Sequence, residues 1–486
     1  MRPVNVRRLL LVCGLSLISG LCGPVSAADP PAFRAGAATA NITPPLGLPL
    51  VGGWSPLPAQ DVHDELHVRA LVLDDGDTRL GIVLVDNVGV TREVFDDARR
   101  RIAEAVPIPA DHLLMAATHT HSAASARGPN RLVANDPLAP YQQFIADRIV
   151  DAVRIAHHRL EPAQIGWGSV NDDSELFNRR WFVEEASERT NPFGGVDQVR
   201  MNPGGNSTLI RPAGPVDPEI SFVAVRATDG RPISVLGNYS LHYVGGIPAR
   251  VVSADYFGVF AERIGELLGT AGQFPPFVGI LSNGTSADVN NINFTDRGPR
   301  REPFEKMKLV GHKVAENVYR AIQAIEYQDH VKLDARFTDL ELATRKPSEE
   351  LLRHMRERKR LVAAGEPAYH SREVTYADRL ETLARTPDHL DIPLQVLKIG
   401  DLGIAAIPFE VFTETGLEIK QKAPLEKVFT IELANGSFGY LPTPEQHELG
   451  GYETWMGTNS VEIEATTKIV SRLLEMFEDV QRPKSP

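Results

Sequence analysis

Most of the chemistry that this chain could perform lies in a few widely separated side chains. Thr118-His119-Thr120-His121-Ser122 directly follows the apolar run 113–117. In extended backbone, residues two apart project to the same side, so His119 and His121 face a common point. A third histidine, His242, follows the apolar run 233–239, and Glu410 follows the run 404–408. A carboxylate in that position either points to water or meets a cation, because an unpaired buried charge is strongly destabilising. Neutral imidazole is the commonest biological metal donor. His119, His242 and Glu410 together form a two-histidine, one-carboxylate set, the kind used by hydrolytic zinc sites that keep an open position. The alternative for each histidine is a hydrogen-bonded role at a strand end.

These donors need buried strands to carry them. The unbroken apolar run 113–117 predicts a strand covered on both faces. Residues 35–50 predict a strand that ends in a loop locked by Pro44 and Pro45. Runs 68–73 and 81–85 flank Asp74-Asp75-Gly76-Asp77, which predicts a hairpin. Val94, Ala98, Ile102 and Ala105 form one helical stripe over 91–105, and a second helix is predicted over 140–160. The alternation continues with strands at 220–226 and 233–239, a helix at 256–268, a strand at 277–281 and a helix at 305–325. A further strand pair covers 394–399 and 402–408. The whole pattern predicts an α/β protein, a single large domain around a mixed β-sheet with flanking helices. In such sheets ligands gather at the carboxyl ends of strands, where His119, His242 and Glu410 all fall.

Two segments break the alternation. Residues 184–211 are polar and punctuated by Pro192, Gly194, Gly195, Pro203, Gly204 and Gly205, which predicts an excursion over the surface. A charged helical insertion at about 346–386 is dense in Arg and Glu, and reads as a solvated helical hairpin in preference to a substrate lid. Trp54, Tyr452 and Trp455 read as packing residues ahead of a role in lining a groove.

Composition narrows the function classes. The 486 residues are 42% hydrophobic and 23% charged, with a formal net charge of −12 spread over both signs. That excludes a nucleic-acid partner bound through a basic face and a protein held on an anionic membrane by charge alone. Residues 1–27 read as a secretory signal peptide: Arg2, Arg7 and Arg8 lead the short apolar stretch 9–21, and Val25-Ser26-Ala27 is a small-residue cleavage site. The expected mature domain is 28–486, secreted or periplasmic, with no transmembrane segment. The only cysteines, Cys13 and Cys22, leave with the signal. A mature chain without thiols excludes disulfides, thiolate zinc sites and cysteine nucleophiles.

The ordered segments AATANITPP, ATHTHS, the His242 motif, SNGTSADVNN, IPFEVFTETG and ANGSFGYLPTPEQ resemble the neutral/alkaline, non-lysosomal ceramidase family over nearly all of residues 33–475. The resemblance implies that family's catalytic-domain fold and one catalytic Zn2+. By position the implied ligands are His119, His242, Glu410 and Tyr440, with His121 beside the metal and Asn178-Arg179 lining the substrate pocket. Tyr440 has a second possible role, donating to a tetrahedral oxyanion. His121 would hold or shuttle a proton, with Asp255 or Asp288 orienting it.

Two departures stand out. Asn290 occupies the place of a serine at the family's reaction centre, where an amide can orient substrate but cannot act as a hydroxyl nucleophile. Ser286 is the neighbouring hydroxyl that a register shift would substitute for it. The segment after the last motif is also too short for the family's C-terminal immunoglobulin-like domain, about a hundred residues. The expected activity is that of an exported zinc-dependent hydrolase cleaving an amide-type N-acyl bond in a small-molecule or lipid-like substrate. The alternatives are an esterase or lactonase on the same scaffold, or a non-catalytic lipid- or carbohydrate-binding relative.

Overall fold

Strands β1 (Arg34–Asn41), β2 (His67–Asp74), β3 (Arg79–Val85), β4 (Leu113–Ala117), β5 (Glu161–Asn171), β6 (Glu219–Ala227), β7 (Pro232–Tyr239) and β8 (Val278–Asn283) form one eight-stranded sheet, in the order β8-β7-β6-β5-β1-β2-β3-β4. Pairs β3/β4 and β7/β8 run parallel and the other neighbours antiparallel, so the sheet is mixed as expected. A second sheet, β9 (Leu333–Ala343), β10 (His389–Ile399), β11 (Leu402–Ile407) and β12 (Lys427–Glu432), is ordered β9-β10-β11-β12 with β11 and β12 parallel. These features belong to a computed structural model that describes residue 1 and residues 33–482, apart from 129, 135 and 136. The expected signal peptide falls, beyond its first residue, outside the described residues.

Alternation along the strands explains how the two sheets pack. Val68, Ala70 and Val72 of β2 face helices α1 (Arg92–Ala105) and α2 (Pro140–His158), joining Val94, Ala98, Ile102, Ile145 and Ile149 in one core. Leu71 and Leu73, with Leu80, Ile82 and Leu84 of β3, face the opposite way into Leu397, Ile399, Ile404, Phe429 and Ile431 of the second sheet. Helices α3 (Asp255–Leu267) and α4 (Glu305–Ile322) cover the other half of the large sheet through Phe260, Ile264, Val314 and Val318. The outer face of the small sheet is closed by the C-terminal helix Ala465–Gln481 through Ile469, Leu473 and Phe477. The result is four layers, helix–sheet–sheet–helix. No helix among the described residues is long and apolar enough to cross a membrane.

Three parallel βαβ units recur. Strands β3 and β4 are bridged by α1, β7 and β8 by α3, and β11 and β12 by Thr413–Lys422. The chain beyond β12 then adds to the exposed edge of β4: the Ala117 amide donates to Leu433 and the Asn435 amide to the Met115 carbonyl. That contact draws the carboxyl ends of strands from both sheets to one place. The insertion is a helical hairpin, α5 (Glu349–Ala363) and α6 (Glu373–Ala384), rooted between β9 and β10 where Ala343 pairs with His389. Its outer face is solvated and laced with ion pairs such as Arg356–Glu381 and Lys359–Asp378, as its charge pattern predicts.

Candidate metal centre

Each donor is set by a strand end. His119 follows β4 by two residues, with φ of 77°, an uncommon left-handed conformation for a residue with a side chain. The turn is held by its own amide donating to the Asn87 carbonyl at 2.8 Å. His242 follows β7 by three residues and Glu410 follows β11 by three. Glu410 then pairs in parallel with Tyr440, so the carboxylate and the phenol come from directly opposed residues. His121 is admitted by Gly52, whose φ is +125° and where a Cβ would lie 2.6 Å from the His121 Cβ. The His121 ring stacks on Tyr243, with centroids 3.7 Å apart.

The three imidazoles converge. His119 Nε2 lies 3.0 Å from His242 Nε2 and 3.1 Å from His121 Nε2. His119 Nδ1 donates to the Val88 carbonyl at 2.7 Å and His242 Nδ1 to the Ser286 carbonyl at 3.1 Å. With each Nδ1 carrying the proton, both Nε2 lone pairs point at the same spot. Glu410 Oε2 lies 3.5 Å from His119 Nε2 and 3.9 Å from His242 Nε2, and it is buried without a hydrogen-bond partner. Lone pairs facing lone pairs and a bare buried carboxylate oxygen are unfavourable unless a cation lies between them. The donor set therefore fits a divalent ion, and His119, His121 and His242 all have a nitrogen in range of one.

The electrostatics keep these donors in their ligating forms. Burial pushes the His119 pKa down, against the opposing pull of Glu410. Burial, followed by the neighbouring His119, pushes His121 and His242 well below the ordinary imidazole value. Burial alone would raise Glu410, but His119, Arg127 and the Tyr440 hydroxyl together hold it below the usual carboxylate range. Burial and the nearby Glu410 raise Tyr440, so its phenol keeps its proton. Three neutral imidazoles, one carboxylate and one neutral phenol result.

The site opens into a cavity of about 700 Å³ lined by His119, His121, His242, Glu410 and Tyr440 together with Arg127, Arg131, Arg179 and Arg379. Arg179 donates to the Tyr440 hydroxyl at 3.1 Å and to Glu453 at 2.9 Å. Glu453 also takes Arg180 at 2.7 Å, which forms a buried Arg–Glu–Arg group under the cavity wall.

No family model matches the chain. A solved structure described as a ceramidase complexed with C2 superposes with a TM-score of 0.69 at 18% identity, covering 94% of this chain and 76% of that one. The crystal structure of neutral ceramidase from Pseudomonas aeruginosa gives 0.67 at 20% identity, over 93% and 75%. The fold is that of the neutral ceramidases.

Within that neutral-ceramidase fold, the structure gathers His119, His121, His242, Glu410, Tyr440 and Arg179 around one point. Two residues expected to touch substrate stand back from it. Asn178 gives its amide to Asp288 at 2.8 Å and to the Pro215 carbonyl, and is not on the cavity wall. Asn290 reaches the cavity only through Asn202, to which its amide donates at 2.7 Å. Ser286 is fully buried with its hydroxyl on Glu432 at 2.8 Å, and only its carbonyl serves the site. Neither carboxylate expected to orient His121 does so. Asp255 accepts backbone amides of Val244, Gly245 and Tyr256, and Asp288 accepts Thr413 and Asn178. Both compensate for burial by binding backbone and neighbouring donors, which spacing cannot reveal.

Sequence reasoning also missed parts of the wall. Trp54 and Tyr452 line the cavity and, with Trp455, an adjoining one of about 490 Å³, so these aromatics do more than pack. Helix α6 contributes Thr375, Asp378, Arg379, Thr382 and Leu383 to the wall. The insertion is thus a solvated hairpin outside and a cavity wall inside.

Proposed function

We propose that this protein is an exported, zinc-dependent hydrolase that cleaves an amide-type N-acyl bond. The observation that carries the reading is the convergence of the His119, His121 and His242 Nε2 atoms beside the unpartnered Glu410 Oε2. His119, His242 and Glu410 would hold the ion, with Tyr440 or His121 completing the set. Zinc bound there would supply a Lewis acid that lowers the pKa of water to about 7 and polarises a carbonyl.

The chain's own residues do the rest. The backbone carbonyls of Val88 and Ser286 fix the tautomers of His119 and His242. The Tyr440 hydroxyl, held by Arg179, is positioned to donate to a carbonyl oxygen as charge develops on it. His121, the most accessible imidazole and kept neutral, is suited to take a proton from the attacking water and return it to the leaving nitrogen. The likeness to a ceramidase complexed with C2 supports a lipid-like acyl substrate. The aromatic wall of Trp54, Tyr243 and Tyr452 offers apolar surface for its chain.

The test is elemental analysis of purified wild type, His119→Ala and Glu410→Gln, together with hydrolysis of matched N-acyl and O-acyl substrates. The reading expects about one zinc per wild-type chain, loss of zinc and activity in both variants, and preference for the amide. Full activity in His119→Ala, or ester cleavage without amide cleavage, would overturn it.

A further inference from the structure

Four arginines, Arg127, Arg131, Arg179 and Arg379, share the cavity wall with two carboxylates, Glu410 and Asp378. Arg131 donates to the Thr458 carbonyl at 3.2 Å, and Arg379 donates to the Thr458 hydroxyl at 3.2 Å and to Tyr376 at 3.1 Å. Two guanidiniums from distant parts of the chain therefore meet at one threonine on the cavity wall. Neither forms an ion pair among the described residues. Arg127, also on the wall, donates to the Val88 carbonyl at 3.0 Å and has Glu410 as its ion-pair partner at 3.9 Å, and Arg179 is committed to Glu453. The other wall carboxylate, Asp378, is exposed and paired with Lys359.

The arrangement is built for Arg131. Gly439, with φ of +103°, leaves room where a Cβ would lie 2.6 Å from an Arg131 guanidinium nitrogen. Burial, and after it the nearby Arg127, lowers the Arg131 pKa to about 10. Like charges gathered in a half-buried cavity are unfavourable unless a ligand neutralises them, and arginine forks suit oxyanions such as carboxylate and sulfonate. The position is informative too. The Thr458 carbonyl that takes Arg131 also takes the Tyr440 amide at 3.4 Å, so the pair is tied to the backbone that carries the site's phenol.

Resting on the hydrolase reading, we infer that Arg131 and Arg379 form a binding site for an anionic group on the amine half of the substrate, making the preferred substrates N-acyl conjugates of acidic amines, such as N-acyl amino acids. Neutral N-acyl alcohol amines would bind more weakly. The aliphatic part of the wall is limited to a few side chains, Val51, Val88, Leu132, Met201 and Leu383, in keeping with a polar substrate half.

The test compares N-octanoylglycine, N-octanoyltaurine and neutral N-octanoylethanolamine with the metal-loaded enzyme, by steady-state kinetics and by titration calorimetry. The expected kcat/KM favours the anionic amides by about tenfold or more, chiefly through KM, as fits a charge-assisted contact. Arg131→Gln and Arg379→Gln should each pull that ratio toward unity, while Arg131→Lys and Arg379→Lys keep most of it. Because the ratio is internal to each variant, partial misfolding does not mimic the result, and either arginine suffices if the other variant fails to fold. A carboxylate preference without a sulfonate preference would mark an amino-acid amine; both together mark any oxyanion of that size. Equal or better use of the neutral amide, or a ratio that neither Gln variant moves, overturns the inference. Calorimetry separates the two readings: arginine-dependent preference for the anion without turnover of any amide sinks the hydrolase and leaves this site standing. Turnover without preference does the reverse.

Discussion

His447 gives the protein a specific weakness to acid. Both of its ring nitrogens are buried with no hydrogen-bond partner, on the short helix Pro444–Leu449 that follows the Tyr440 segment. Burial, reinforced by Arg345 and Arg180, lowers its pKa from 6.5 to about 3. In the unfolded chain the same imidazole protonates near 6.5, so between these values the unfolded state binds a proton that the folded state refuses. Stability is therefore intact above pH 6.5 and falls as pH drops toward 3. Between about pH 7.5 and about pH 5 the loss works out at about 2 kcal/mol, from roughly 1.4 kcal/mol per unit of pH. His447→Met keeps the volume and removes the titration. Urea midpoints followed by tryptophan fluorescence should show the variant losing about 2 kcal/mol less than wild type on that acidification. Asp255, raised by burial to about 6, acts in the opposite direction, since its penalty is full above pH 6 and fades on acidification. That term is common to both proteins and cancels. Equal losses in wild type and variant would refute the assignment of acid sensitivity to His447.

Other perturbations reach the site more directly. Gly52→Ala forces a side chain against His121 at a positive φ, with an expected cost of about 1–3 kcal/mol. Activity should fall at least about tenfold; zinc retained in that variant marks His121 as a proton carrier, and zinc lost marks it as a ligand. Glu453→Gln leaves Arg179 and Arg180 buried without their shared carboxylate, so thermal unfolding should show a loss of about 3–5 kcal/mol together with reduced kcat. Export and processing predict that mature protein recovered from the producing cell's exterior or periplasm begins at Ala28 by intact mass. A chain that retains residues 1–27 in that fraction counts against the signal.

The candidate metal donors were legible because strand ends announce themselves. An unbroken apolar run such as Leu113–Ala117 has few alternatives to a buried strand, and whatever polar residues follow it must emerge at the sheet's edge. The same logic located His242 and Glu410. It failed for β5, where Gly166 and Gly168 thin the apolar pattern because the chain after α4 and Phe222 press against them. The second sheet was read as part of the first, since β3 and β11 are equally apolar on both faces and nothing local says which layer a buried strand joins. Arg131 and Arg379 carried no signal at all. One lies in a loop and the other in a charged helix that resembles any solvated surface, and only the hairpin's docking makes them neighbours. Asn178 and Asn290 show the converse: a matching motif fixes position along the chain, while the hydrogen bonds to Asp288 and Asn202 decide what the side chain faces.

The root of the α5–α6 hairpin has a further consequence. Because the Ala343–His389 pairing closes beneath it, the ladder between β9 and β10 does not depend on what is strung beyond that rung. The hairpin behaves as an interchangeable cartridge: shortening or replacing it exchanges Arg379, Asp378 and Leu383 in a single event while the histidines keep their supports on other strands. The wall of the cavity can thus be exchanged by selection without rebuilding the histidine cluster, and an engineer can do the same by splicing a different loop at that rung.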